Sequence, residues 1–516
     1  MAAQSNLATR ARRGSILRKL VITIGVVLGL ALIFIAIEVT IALTAKPVPA
    51  IDYGERIREA TLERQRTLHG EGPDQWPQFN SMLGLVQTGS NYLEQQTQAL
   101  TPDPDNTYSY VGFSVILRPE EDPYRPQDAS TAANYLDARE RAIRALEHWR
   151  SIGIFEASAE LPEMLRVAFP PVPGPMGRSV IPQLGQARQL VRALAARMRL
   201  AAVNGDQVER LMAFEEGLAL ARATSSSGPI LGWLTGAAIQ GMMLGELKHG
   251  LYLHPVDDEA WLAAADAIIE RELVRHMITP EQIRDNKHLE HLDEVQRSFT
   301  EGGRFVPREY AKLQYGFNLN NAPDHLMPFG DTAWSNLHGR AYLGRGTVTQ
   351  WFERANELGI EAYRARGTAM ALADERLANH VATADRRNPV GQSMTDPSQF
   401  IWIARQSDIQ VAGTRVLLAI ERYRLRNQGR LPRSLDDLGD LLPESRRTDP
   451  IMRHTWAYAP TPGTSGWNGE PLDADDEPWP YTLQSHPMPD LSTPFGDFGG
   501  RVLITTPMYL PDYAVR

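Results

Sequence analysis

The sequence predicts a mainly α protein with one N-terminal transmembrane helix, an extracytoplasmic α-helical bundle, and a small C-terminal α+β domain with a short antiparallel sheet. Three observations predict it. Residues 20–43 are an apolar run with a single ionisable side chain; from about 183 onward apolar residues recur every three or four positions; beyond 427 the pattern changes to short alternating or β-branched runs between Pro/Gly turns. The 516 residues amount to about three domains at roughly 150 residues each, with the ordinary globular composition of 43% hydrophobic and 22% charged residues. The absence of cysteine excludes disulfides, thiolate metal sites and a cysteine nucleophile. A net charge of -9 argues against a nonspecific grip on nucleic acid, so no nucleic-acid partner is expected.

Residues 1–19 read as a basic cytoplasmic tail. The run from Leu20 to Leu43 is long enough, at about 1.5 Å per helical residue, to span a hydrocarbon core of about 30 Å with some tilt. Arg10, Arg12, Arg13, Arg18 and Lys19 precede it and only Lys46 follows closely, which orients the N-terminus to the cytoplasm and the remainder outward. A signal anchor is expected rather than cleavage at Val48-Pro49-Ala50, because the run exceeds the roughly 7 to 15 residues of a signal h-region. These features predict a single-pass membrane protein, partnered with the lipid bilayer through residues 20–43 and carrying an extracytoplasmic body, which the resemblances given below would place in a bacterial cell membrane with a periplasmic body. Glu38 lies close enough to the outer end to be interfacial.

Residues 46–182 form a membrane-proximal helical segment with Pro-rich connections. A charged helix is expected over 52–69, a short strand in YVGFSVIL before Asp128, a helix over about 131–151, and a break at the proline cluster 169–177. Residues 183–397 form the α-helical body. Leu184, Ala187, Val191, Leu194 and Met198 make one stripe, Gly205-Asp206 breaks it, and a second helix runs to about Ala223. Ser225-Ser226-Ser227-Gly228-Pro229 starts the next helix, to about His249. Further helices follow over about 258–276 and 279–299, the latter opened by a capping residue, a proline and Gln282. Residues 301–345 lose periodicity and are expected to pack over the bundle, and helix resumes over about 348–380. Residues 398–516 combine a long helix to about Asn427, striped by Ile409, Ala412, Val416, Ile420 and Tyr423, with runs at 455–459, 481–485 and 502–506 that suggest a small antiparallel sheet.

This last region, with Tyr423-Arg424-Leu425, Gly429, Pro432, a short helix from Ser434, Asp449-Pro450, Tyr458 and a strand ending in Ser485, resembles the soluble domain of major pseudopilins of type II secretion systems. The resemblance covers about a hundred residues and implies a long helix packed on a small antiparallel sheet. Gly14 lacks the family's processing signal, and His486-Pro487-Met488-Pro489 replaces its calcium loop, leaving Asp490 and Asp497 short of the roughly six to eight oxygens that calcium requires. Residues 183–223 are similar to one tetratricopeptide unit, with no repeat continuing. The layout as a whole resembles single-pass membrane-anchored bacterial proteins.

Chemistry is harder to find. Glu216, Glu246 with His249, Glu270, and Asp285 with His288 occur in the order of a di-iron carboxylate bundle, but helix lengths separate Glu270 from His249 by roughly 18 Å. His288, His291 and Glu294 share a helical face on which zinc is conceivable, although Leu289, Leu292, Val295 and Phe299 read as the apolar side with the histidines flanking it. Asp473 to Glu477 reads as a solvated acidic loop. Trp456, Tyr458, Trp467, Trp479 and Tyr481 read as cover for the sheet rather than a binding platform. No nucleophile elbow or phosphate-binding glycine loop occurs, and Ser225 to Ser227 read as helix-start residues. The sequence therefore assigns no catalytic, cofactor-binding or metal-ligating residue. It favours a noncatalytic interaction or scaffolding protein of the cell envelope with a protein partner, the alternatives being an anchored hydrolase with a site beneath 301–345 and an accessory component of a secretion apparatus.

Overall fold

The computed structural model describes residues 51–97, 129–170, 181–275, 279–315, 342–385, 387–392, 397–461 and 481–485, with 492–493, 496–497 and scattered positions between 23 and 40. The expected strand before Asp128 and the run at 502–506 lie outside the described residues.

The transmembrane helix expected over residues 20–43 is not upheld: among the described residues no helix is long and apolar enough to cross a membrane. Apolar composition is necessary for crossing but is not sufficient, because what crosses is a continuous helix with its backbone hydrogen bonds closed internally. The single-pass topology, the membrane localisation with a periplasmic body, and the bilayer contact through 20–43 are corrected accordingly, and no compartment is assigned.

The described chain is mainly helical and divides into two compact units, with boundaries inside two of its helices. Unit 2 comprises residues 53–290, 354–382 and 395–516. Its helices begin with α1 (Tyr53–His69), α2 (Trp76–Thr97), α3 (Ala129–Ser151) and the short α4 (Ile154–Ser158). At its centre stand α5 (Ile181–Val203), α6 (Gln207–Ser225) and α7 (Ile230–Leu253), consecutive helices that pack on one another. Gly205 takes a left-handed φ of 72° and Asp206 then caps α6 by accepting the Glu209 N–H at 3.0 Å, which turns the chain back on itself. The backbones of α6 and α7 approach closely because small residues line the seam. A Cβ on Gly217 would lie 2.6 Å from the Met243 side chain, and one on Gly236 would meet Ser225 Oγ.

The α6–α7 turn corrects one expectation. Ser225 ends α6 and Ser226 is its C-cap, while Gly228, at φ 119°, makes the turn and Pro229 starts α7. The serines close one helix rather than open the next, because a proline that supplies no N–H is itself suited to the helix start. Next come α8 (Glu259–Ile269), a π-helical turn at Glu270–Arg275, and α9 (Pro280–Ser298), whose expected capping box is present: Thr279 N donates to Gln282 Oε1 at 2.9 Å.

Unit 1 contains residues 1–52, 291–353 and 383–394. Its described part comprises the end of α9, α10 (Pro307–Tyr315), the start of α11 (Arg345–Arg364) and the short α13 (Pro389–Gln392). Its core gathers Val295, Phe299, Phe305, Tyr310, Val348 and Phe352. Phe305 and Tyr310 from the aperiodic stretch therefore have a core of their own, and residues 316–341 lie outside the described residues. His291 is buried in this unit with its ring 4.5 Å from Phe352, inside the core rather than flanking it.

Unit 2 is completed by α12 (Ala369–Val381) and by α14 (Pro397–Arg426), which packs against α7, α8 and α12. Arg405 of α14, fully buried, reaches Asp374 of α12 at 2.8 Å. Beyond α14, β1 (Ala457–Ala459) and β2 (Thr482–Gln484) pair antiparallel with Tyr458 opposite Leu483, and β2 contacts α14. A second short antiparallel ladder joins β3 (Ser492–Thr493) to β4 (Gly496–Asp497).

Candidate ligand cavity

The residues gathered for metal chemistry are occupied by arginine. Glu216 accepts from Arg197 Nη1 at 2.8 Å and from Ser158 Oγ at 2.5 Å, and burial, only partly opposed by these partners, pushes its carboxyl up. Glu246 meets Arg199 Nε at 3.0 Å, and the same guanidinium lies 2.5 Å from His249 Nδ1. The Glu-x-x-His pair thus surrounds a cation that the chain itself supplies from α5. Burial first, then Arg199, push the His249 imidazole down to about 3, so it is neutral and accepts. Glu270 is held by Arg275 at 3.1 Å, Arg446 at 3.2 Å and Arg415. Burial would raise its carboxyl, but the three guanidiniums together hold it below the usual range. Asp285 is exposed and His288 half-buried. Among the described residues no group of three or more His, Cys, Asp or Glu is placed to hold a metal ion.

The C-terminal aromatics divide. Trp456 and Tyr481 are buried, Tyr481 donating to Glu421 Oε1 at 2.9 Å, and Tyr458 donates to Pro432 O at 2.8 Å. All three cover the β1–β2 ladder. Trp467, Trp479, Asp490 and the run 473–477 lie outside the described residues, and Asp497 sits in β4 opposite Ser492.

Unit 2 holds a cavity of about 400 Å³, within the range of small-ligand sites, that the sequence did not suggest. Four elements build most of it, and Thr279 before α9 completes the lining. From α14 come Ala404, Ser407, Asp408, Val411, Ala412 and Arg415, spaced as one helical face. That face lies beside the apolar stripe read from the sequence and shares only Ala412 with it. Trp233 and Gln240, two turns apart, face it from α7, and Leu273 and Val274 come from the π turn. Turns of this kind recur at functional sites.

The fourth wall is the turn after residue 444, contributing Ser445, Arg446, Thr448, Pro450 and Arg453. Its geometry comes from Asp449, whose buried carboxylate Oδ1 accepts the N–H groups of Ile451 at 2.7 Å and Met452 at 2.9 Å. Asp449 O then accepts the Arg453 N–H at 3.0 Å, and a bridge joins Thr448 to Thr455. The tightness of this turn forces Arg453 to φ 61°, a left-handed conformation that a long side chain seldom adopts.

Inside the cavity most polar groups hold one another. Gln240 Nε2 donates to Ser407 Oγ at 2.7 Å, and Asp408 Oδ2 accepts from Tyr363 OH at 3.2 Å. Arg415 clamps Asp266 at 2.6 Å and also holds Glu270, which keeps its guanidinium firmly charged despite burial. Burial, more than the opposing Tyr363 hydrogen bond, pushes the Asp408 carboxyl up to about 6. Besides the hydroxyls of Ser445 and Thr448, two groups are left over. Gln240 is 1% exposed and its Oε1 has no hydrogen-bond partner among the described residues, while the exposed Arg453 guanidinium has neither hydrogen bond nor ion pair there.

The polar residues at 407, 408 and 415 were visible in α14, but they stand among other polar residues of that helix, such as Arg405, Gln410 and Thr414, and which of its faces stays open depends on α7 and the turn. Comparison of the chain with protein-family models, with curated proteins and with solved structures finds no match.

Proposed function

We propose that the chain is a noncatalytic interaction protein in which the helical body of unit 2 is the scaffold and its cavity a recognition site. The observation that supports this reading is the commitment of the cavity's ionisable groups. Arg415 and Arg446 are spent on Asp266 and Glu270, Asp408 receives a phenol, and the Ser407 hydroxyl faces an amide rather than a base. A nucleophile needs a neighbouring base to take its proton, and the cavity places none beside Ser407. What the cavity leaves available is recognition chemistry: an amide acceptor, one cation, the hydroxyls of Ser445 and Thr448, and an apolar wall including Trp233 and Val411.

The test is crosslinking and pull-down of the full-length chain from its native cells, paired with R453E, a surface change at the cavity mouth. A specific partner bound saturably, without turnover and lost in the variant, is expected. Recovery of the chain alone would remove the reading.

Hydrolysis is the second reading, favoured by one observation: Asp408, a carboxyl raised to about 6, lines the same concave site as Ser407, although the two make no hydrogen bond. It predicts ester or glycoside cleavage abolished by Asp408→Asn; a screen in which wild type and variant are equally inert ends it. A place in a secretion apparatus rests on the likeness of residues 398–516 to pseudopilins, supported by the contact of α14 with β2, and analogy of fold carries no activity.

A further inference from the structure

Three features of the cavity constrain what fills it, and none has been needed to explain the fold. The first is the orphaned amide oxygen. Gln240 is held by Ser407 at its Nε2 end, and a buried carbonyl oxygen without a donor is costly unless something entering the cavity supplies one. Turning the amide over would only exchange which end is orphaned. The second is Arg453, a guanidinium at the mouth with no partner among the described residues, whose left-handed backbone accompanies the Asp449 turn. A long residue kept where glycine fits better points to use of its side chain. The third is the wall between them, where Trp233, Leu273 and Val411 provide apolar surface.

We propose that this cavity binds a small organic monocarboxylate that carries a hydroxyl or amino donor on an apolar or aromatic body, the carboxylate meeting Arg453 and the donor meeting Gln240 Oε1. The charge arithmetic favours a monoanion over a phosphate dianion. Of the three guanidiniums in the wall, Arg415 and Arg446 already face Asp266 and Glu270, so among the described residues a single uncommitted cation remains, and Asp408 adds negative potential. The volume of about 400 Å³ accommodates a single aromatic ring with two substituents. This inference rests on the interaction-protein reading in that the ligand is bound and not consumed.

The experiment is isothermal titration of the full-length chain with 4-hydroxybenzoate and with 4-hydroxyphenylacetate, two spacings of the same groups. Benzoate, which lacks the donor, and 4-hydroxybenzamide, which lacks the charge, serve as controls. At least one hydroxy acid is expected to bind, with each control weaker by about tenfold, the worth of one hydrogen bond or exposed charge contact. R453Q is expected to erase the preference over the amide, and Q240L the preference over benzoate. Failure of both hydroxy acids to bind at millimolar concentration overturns the inference, as do preferences that survive in the variants. The wild-type probe series decides the question even if Q240L fails to fold. Binding together with chemical conversion of the probe would retain the site and remove the noncatalytic reading, whereas a captured protein partner with no probe binding would do the reverse.

Discussion

Lys248 lies on α7 with 1% of its surface exposed, and its Nζ donates to Gln410 Oε1 of α14 at 2.8 Å. Burial alone pushes its ammonium from an ordinary 10.5 down to about 8. At pH 7 the group is charged in both folded and unfolded chains, so the depression is a direct cost to the fold, about 3 kcal/mol at roughly 1.4 kcal/mol per pH unit. The sign is fixed by proton counting. Between pH 8 and 10.5 the unfolded chain holds a proton that the native state has released, so stability rises with pH across that window. Lys248→Met keeps the length of the side chain, removes the cost, and forfeits the hydrogen bond to Gln410 Oε1 at about 1 kcal/mol. The variant is therefore expected to be more stable than wild type by about 2 kcal/mol at pH 7, with the difference shrinking toward zero or reversing by pH 10. Urea denaturation at pH 7, 8.5 and 9.5, followed by far-ultraviolet circular dichroism, measures it. A variant less stable at pH 7, or two chains with parallel pH dependences, would refute the reasoning.

Three further predictions follow from the same structure. Asp408, raised from 3.8 to about 6, binds its proton more tightly in the folded chain, so stability is lost as pH climbs from about 4 through 6. Asp408→Asn should stabilise the protein by about 1–2 kcal/mol at pH 7.5 and be neutral or worse at pH 4, read from denaturation midpoints at the two values. The His249 ring, held near 3 by burial and Arg199, should show no imidazole titration by NMR between pH 4.5 and 8; because the unfolded chain takes up this proton below about 6.5, the native state should weaken as pH falls through that range. Arg453→Gly should relieve the left-handed strain at φ 61° and raise stability by about 1 kcal/mol in thermal melts, and an unchanged melting temperature would mean that the turn holds no strain.

Much of the helical architecture was legible because helices are local. The expected helix over 52–69 is α1 at Tyr53–His69, the break at Gly205-Asp206 is a left-handed glycine followed by a true N-cap, and the stop near Asn427 coincides with the end of α14 at Arg426. Periodicity, capping residues and turn glycines act over a few residues, so they can be read without knowing the fold. The apolar run at 20–43 shows the limit of the same reasoning, since composition alone does not establish a continuous helix of spanning length.

The candidate site was not legible because each of its decisions is made between distant segments. That Glu246 and His249 surround Arg199 instead of a metal depends on α5 lying against α7, and that Glu270 is clamped by Arg415 and Arg446 depends on residues about 145 and 176 positions away. A carboxylate on a helix satisfies a guanidinium and a metal equally well, and only packing chooses between them. The sequence by itself determined where some helices of this protein begin and end, α1, α6 and α14 among them, since backbone hydrogen bonding and side-chain spacing are local; it did not show α2, α10 or the division between α11 and α12. The tertiary structure alone decided which charges cancel, which amide is left without a partner, and where a cavity of about 400 Å³ stays open, because burial and long-range pairing belong to the assembled chain.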